Sequence, residues 1–103
     1  MPQHFPWMQP KGAHLSAAIT TSATTEINSG SGSIFAGLSV ATAGSAWNAK
    51  IYIGNPSSGG VLLATIACDT VGVVPSPLLN CPNGLYVVTA GTTPGSVSVA
   101  FYA

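Results

Sequence analysis

Glu26 and Asp69 are the only side-chain carboxylates in 103 residues, and His4, His14, Cys68 and Cys81 nearly complete the inventory of groups that could move protons, attack carbon or hold metal. A glycosidase needs two carboxylates facing each other across a cleft at a set separation. Glu26 and Asp69 fall on separate expected strands, and nothing in their spacing sets them opposite one another. Structural zinc sites use closely spaced ligand pairs, whereas neither the two histidines nor the two cysteines are close in sequence. Serine is so abundant that a Ser–His or Cys–His nucleophile pairing carries no information. No catalytic residue, metal or cofactor is expected. Asp69, just before Thr70, is expected to bond locally at a strand end, and Glu26 to be a solvated or interfacial charge, with a lysine as an alternative partner.

Two further groupings could bind rather than react. Gly54 to Gly60 lack the Gly-Lys-Ser/Thr ending and the following helix of a phosphate loop, so they read as a tight connection. Trp47, Tyr52, Tyr86 and Tyr102 could stack on sugars or single-stranded bases. Trp47 lies on an apolar face and is expected in the core. Tyr52, Tyr86 and Tyr102 are expected to point outward, toward a glycan or an interface.

The first fifteen residues differ from all that follow. Pro2, Pro6 and Pro10 recur at even spacing, with Phe5, Trp7 and Met8 between them and His14 following. Proline at this frequency removes amide donors and favours extended chain. A plain linker would not carry such large apolar side chains. Residues 1–15 therefore read as an extended arm, with Phe5, Trp7, Met8 and His14 as partner-binding residues; the alternative is an arm folded back over its own core.

Charge sets the expected way of life. Lys11 and Lys50 balance Glu26 and Asp69, so 4% of the chain is charged, 47% is hydrophobic and the formal net charge is zero. Soluble domains carry roughly a quarter charged residues, and net charge is what keeps them apart. A surface this bare is expected to be covered by neighbours, which favours an assembly component over a free enzyme. Two lysines cannot neutralise a useful number of nucleic-acid phosphates, nor hold an anionic membrane. No apolar run approaches the roughly 20 residues of a membrane span, and no signal-peptide pattern opens the chain. The expectation is synthesis and residence in a cytoplasm until assembly. Cys68 and Cys81 are expected as reduced, buried thiols, a bridge between them being the alternative.

Residues 16–103 read as one β-domain. Ser16 to Asn28 reads as one strand rich in Thr and Ile. Ser33 to Ala43 alternates, with Ile34, Ala36, Leu38 and Val40 assigned to one face. Trp47, Ala49, Ile51 and Ile53 share a face opposite Asn48, Lys50 and Tyr52. Val61 to Asp69 is more continuously apolar and is expected inside a sheet. Pro75, Pro77 and Pro82 mark Val71 to Pro82 as an edge strand or loop. Leu85 to Ala90 and Val97 to Tyr102 close the chain, with Val97, Val99 and Phe101 inward. Seven or eight short strands without a helix predict an antiparallel β-sandwich of jelly-roll type.

The order Ile34-Phe35-Ala36-Gly37-Leu38-Ser39-Val40, Ala49-Lys50-Ile51-Tyr52-Ile53-Gly54-Asn55 and Gly60-Val61-Leu62-Leu63-Ala64-Thr65-Ile66 resembles small β-sandwich virion proteins of tailed bacteriophages. Asn83-Gly84-Leu85-Tyr86-Val87-Val88-Thr89-Ala90-Gly91 and Val97-Ser98-Val99-Ala100-Phe101-Tyr102 continue the likeness, which leaves out Met1 to His14. The resemblance implies a capsid decoration or cement protein. It would be a homotrimer on a local three-fold axis, bound to the major capsid protein or another virion protein, and would carry no catalytic motif. A tail-fibre or spike module that binds carbohydrate or a receptor is the alternative.

Overall fold

Runs of β-branched and aromatic residues punctuated by Gly, Pro and Asn produce eight strands among the described residues. They are β1 (His14–Leu15), β2 (Thr24–Asn28), β3 (Ser33–Thr42), β4 (Ser45–Ile53), β5 (Val61–Ala67), β6 (Gly72–Cys81), β7 (Leu85–Thr93) and β8 (Ser96–Tyr102). The computed structural model describes residues 14–29 and 32–102. Phe5, Trp7 and Met8, and with them the expected arm up to Ala13, lie outside the described residues.

All pairings are antiparallel, in two four-stranded sheets of order β1-β8-β3-β6 and β2-β7-β4-β5. The pairs β1–β8, β2–β7, β3–β6 and β4–β5 are those of one long hairpin. The β3–β8 and β4–β7 ladders then roll that hairpin into a two-sheet sandwich. This is the jelly-roll arrangement. Each sheet turns one face to a shared core in which Phe35, Leu38, Val97 and Val99 of the first meet Trp47, Ile51, Leu85 and Val87 of the second.

Three expectations need correction. Ser16 to Asn28 is not one strand: Ile19 bridges Val97 in the first sheet, whereas β2 pairs with β7 in the second. The chain crosses between sheets at residues 20–23, and its polar Ser and Thr residues serve that crossing. Ile34 and Ala36 do not share a face with Leu38 and Val40. The register shifts between Phe35 and Gly37, against both neighbours, so Phe35 points inward and Ile34 outward. A bulge inserts one residue and thereby reverses side-chain parity. Gly37 permits it: its φ is 143°, and a Cβ there would lie 2.6 Å from the Val74 carbonyl oxygen. Finally, β5 is an edge strand of the second sheet, with Val61 60% and Leu62 47% exposed. Its apolar run comes from half-buried Leu63 and Ile66 packing on the core, not from two neighbouring strands. β6 is the other sheet's edge, in keeping with its prolines.

The crossing at residues 20–23 is held by buried Thr89. Its hydroxyl donates to the Thr21 carbonyl at 2.6 Å and accepts from the Ala23 amide at 3.1 Å. Thr89→Val keeps the shape and deletes both bonds, leaving a carbonyl and an amide short of partners. A loss of about 1–3 kcal/mol is expected, read as a lower urea midpoint with unchanged slope. An unchanged midpoint would contradict this role.

Candidate functional site: two contrasting sheet faces

The second sheet carries the chain's outward aromatic pair. Period-two alternation in β4 and β7 buries Ile51 and Val87 and turns Tyr52 and Tyr86 to the outer face. Register then sets Glu26, Tyr86, Tyr52 and Leu62 in one row across four strands. The Tyr86 hydroxyl donates to Glu26 Oε2 at 2.9 Å. Glu26, expected as a solvated or lysine-paired charge, is thus tied to a phenol. That bond, then partial desolvation and the nearby negative charge, raise the Tyr86 pKa above its ordinary 10.0. Because the phenol is the donor, ionisation breaks the bond. Its contribution is complete below the unfolded value and vanishes as pH rises through the folded one. In Glu26→Gln, spectrophotometric titration should show one phenol moving down toward the ordinary value; an unaltered curve would sink the assignment. Lys50 lies on the same face, two residues along β4.

The first sheet presents the opposite chemistry. Strands β1, β3, β6 and β8 contain no Asp, Glu, Lys or Arg at all. On the outer face Ile34 pairs with Tyr102 on one side and Asn80 on the other, and Ser39 likewise stands between Ser98 and Val73. Leu15 stands opposite Ala100. Most of these side chains are small or apolar, and Val73 and Leu15 are 73% and 63% exposed. Small side chains let another surface approach closely, and the absence of charge removes the main desolvation penalty for covering them.

The residues singled out in the sequence are therefore dispersed. Tyr52 and Tyr86 are direct neighbours; Tyr102 is on the other sheet's outer face. His14 belongs to β1, exposed, with its ring 5.7 Å from that of Phe101. Asp69, expected to bond locally at its strand end, instead reaches the start of β4, its Oδ1 accepting the amide of Trp47 at 3.0 Å, 22 residues earlier in the chain. Cys68 and Cys81 are free thiols, fully buried, and burial raises the pKa of both. Among the described residues there is no pocket and no group of three or more His, Cys, Asp or Glu placed to hold a metal. What sequence reasoning missed was the segregation of charge: Glu26 and Lys50 both lie in the second sheet. Charge-free strands were visible one by one, but only the strand order 1-8-3-6 gathers them into one face.

Comparison with protein-family models, with curated proteins and with solved structures found no match for this chain.

Proposed function

We propose that this chain is a non-enzymatic structural virion protein, a decoration or cement protein that binds across subunits of a phage head. The observation that carries the reading is the uncharged outer face of the β1-β8-β3-β6 sheet. Such a face is stable when covered and promotes association when it is not. A protein that binds only the assembled shell stabilises that shell by mass action. Three copies about a local three-fold axis would cover further surface, with Phe5, Trp7 and Met8 as apolar anchors from the arm. The assignment to a tailed phage comes from the strand-and-turn pattern of Ile34 to Tyr102 alone. Jelly rolls also build lectins, and a fold by itself decides neither role.

The test is co-sedimentation of the purified chain with phage shells assembled without it. Saturable binding at a fixed ratio to the capsid subunit is expected. A chain that stays monomeric and fails to bind shells would end the proposal. A second reading, a glycan- or receptor-binding module of a tail fibre or spike, is favoured by one observation. Tyr52 and Tyr86 form an outward pair with a carboxylate held beside them. Aromatic faces flanked by a fixed acceptor suit sugars. Binding on a glycan array that Tyr86→Ala abolishes would move the assignment there.

A further inference from the structure

Among the described residues the two sheets end in four edge strands, and three of them are defended against pairing with another chain. Exposed edges offer unpaired amides and carbonyls to any extended partner, and proteins blunt them with prolines, charges, irregular register or brevity. β1 is two residues long. β2 carries Glu26, and its register shifts between Glu26 and Asn28. β6 has Pro75 and Pro77, and its register against β3 breaks between Phe35 and Gly37. β5, Val-Leu-Leu-Ala-Thr-Ile-Ala, has neither charge nor proline. Its one register shift falls at Leu63 and leaves Ala64 to Ala67 as a regular stretch.

The bonds just beyond that stretch fix where its polar groups point. The Cys68 amide donates to the Trp47 carbonyl at 2.8 Å, and the Cys68 carbonyl accepts from the Gly44 amide at 2.9 Å. Both groups of Cys68 are thus directed to β4 and the chain leading into it. Backbone polar groups alternate sides along an antiparallel strand. Ile66 therefore also addresses β4, while Thr65 and Ala67 address the open edge. Thr65 and Ala67 are exposed, and Ile66 is half-buried against the core.

A regular strand complements itself in the antiparallel sense about a two-fold axis. Centred on Ile66, such a pairing sets Thr65 of each copy opposite Ala67 of the other, so that outward donors meet outward acceptors. Ile66 then lies against its own counterpart on the inner face, at the closer spacing of a non-hydrogen-bonded pair. Charge selects the same edge. A two-fold contact brings each side chain near the axis to its own copy, where an ionised group meets its like. β5 supplies no such group, and the Asp69 carboxylate beyond its end is engaged by the Trp47 amide. Glu26 makes β2, the other edge of this sheet, unsuited to a contact of that kind.

We propose that two copies of this chain join edge to edge through β5, antiparallel about Ile66, so that their β2-β7-β4-β5 sheets become one continuous sheet. The contact uses one patch on both partners and closes at two copies. It goes beyond the proposed function and does not rest on it, since three copies about an axis would meet through other surfaces.

Amide exchange of the full chain, followed by NMR residue by residue over a dilution series, reads the pairing. The Ile66 and Cys68 amides should be protected at every concentration, because β4 holds them. The Thr65 and Ala67 amides should exchange freely in dilute solution and become protected as copies associate. Thr65→Pro removes only an outward donor, and by symmetry removes it on both sides of the axis. Sedimentation equilibrium should show its association weakened about tenfold or more, with the urea midpoint of the dilute chain close to the parent's. Thr65→Val keeps the backbone donor and should stay within about twofold of the parent. Thr65 and Ala67 amides left unprotected where copies associate would overturn the proposal, as would a chain that stays monomeric throughout the series. Protection that persists on dilution would assign the edge to a segment of the same chain and overturn it too. So would unchanged association in Thr65→Pro, or equal losses from both variants, which would trace the effect to the side chain. Should Thr65→Pro not fold, the exchange pattern of the parent decides alone. No shell enters this experiment, so its failure and the failure of shell binding are separate results.

Discussion

Trp47→Ala should cost about 3–5 kcal/mol, the range for removing a large aromatic side chain from a packed core, and should leave the domain at the margin of folding. Trp47 is completely buried and anchors three segments at once. Its indole Nε1 donates to Ser22 Oγ at 3.0 Å, its amide donates to Asp69 Oδ1 at 3.0 Å, and its carbonyl accepts the Cys68 amide at 2.8 Å. Across the β4–β7 ladder it faces Gly91, where any Cβ would overlap the Ala46 carbonyl oxygen. The indole thus ties the 20–23 crossing to the sheet, while its backbone holds the residues that follow β5. Urea unfolding of Trp47→Ala beside Asp69→Ala separates the two contributions. Asp69→Ala removes only an acceptor for one amide and should cost about 1–3 kcal/mol. If the two variants lost equal stability, the indole would not be the dominant tie.

Ser39→Lys should abolish association with little effect on folding. Ser39 sits half-buried on the outer face of β3, between Ser98 and Val73 and thus inside the uncharged face. In the free chain a lysine there can extend its ammonium group into water. Under a neighbour, the charge is enclosed without a partner, which costs several kcal/mol. Binding to sister copies or to shells should fall by roughly a hundredfold or more, with the thermal midpoint nearly unchanged. Thr24→Lys is the control: it adds the same charge at the exposed edge strand β2 of the other sheet. Equal losses from both substitutions would make the effect one of net charge rather than of place.

The sequence was legible wherever alternation ran unbroken. Trp47, Ala49 and Ile51 on one face of β4, and Val97 and Val99 on one face of β8, stand in the core as their spacing requires. The prolines of β6 announced an edge, and the turn Gly54 to Gly60 is the capped reversal its residues call for, with Asn55 Oδ1 accepting the Ser57 amide at 2.9 Å. Reading failed where a non-local event reset the count. The bulge at Ala36–Gly37 reversed the face of Ile34, and nothing in Ile-Phe-Ala-Gly-Leu distinguishes a bulge from straight strand until β6 and β8 lie alongside. The apolar run of β5 points to the inside of a sheet for a related reason: one flanking strand and a core contact through Leu63 and Ile66 produce the same composition. Of the candidate site, the individual residues could be seen, but the separation of a charged sheet from an uncharged one is a property of strand order.

The proposed function requires the first sheet's outer face to be covered in the assembled state. Hydroxyl-radical footprinting of the full chain, dilute and then mixed with phage shells assembled without it, measures this directly. Assembly should protect Ile34, Leu15 and Tyr102 strongly while Tyr86 stays as reactive as before. Protection of Tyr86 with Ile34 and Tyr102 left reactive would contradict the account and assign contact to the aromatic face instead.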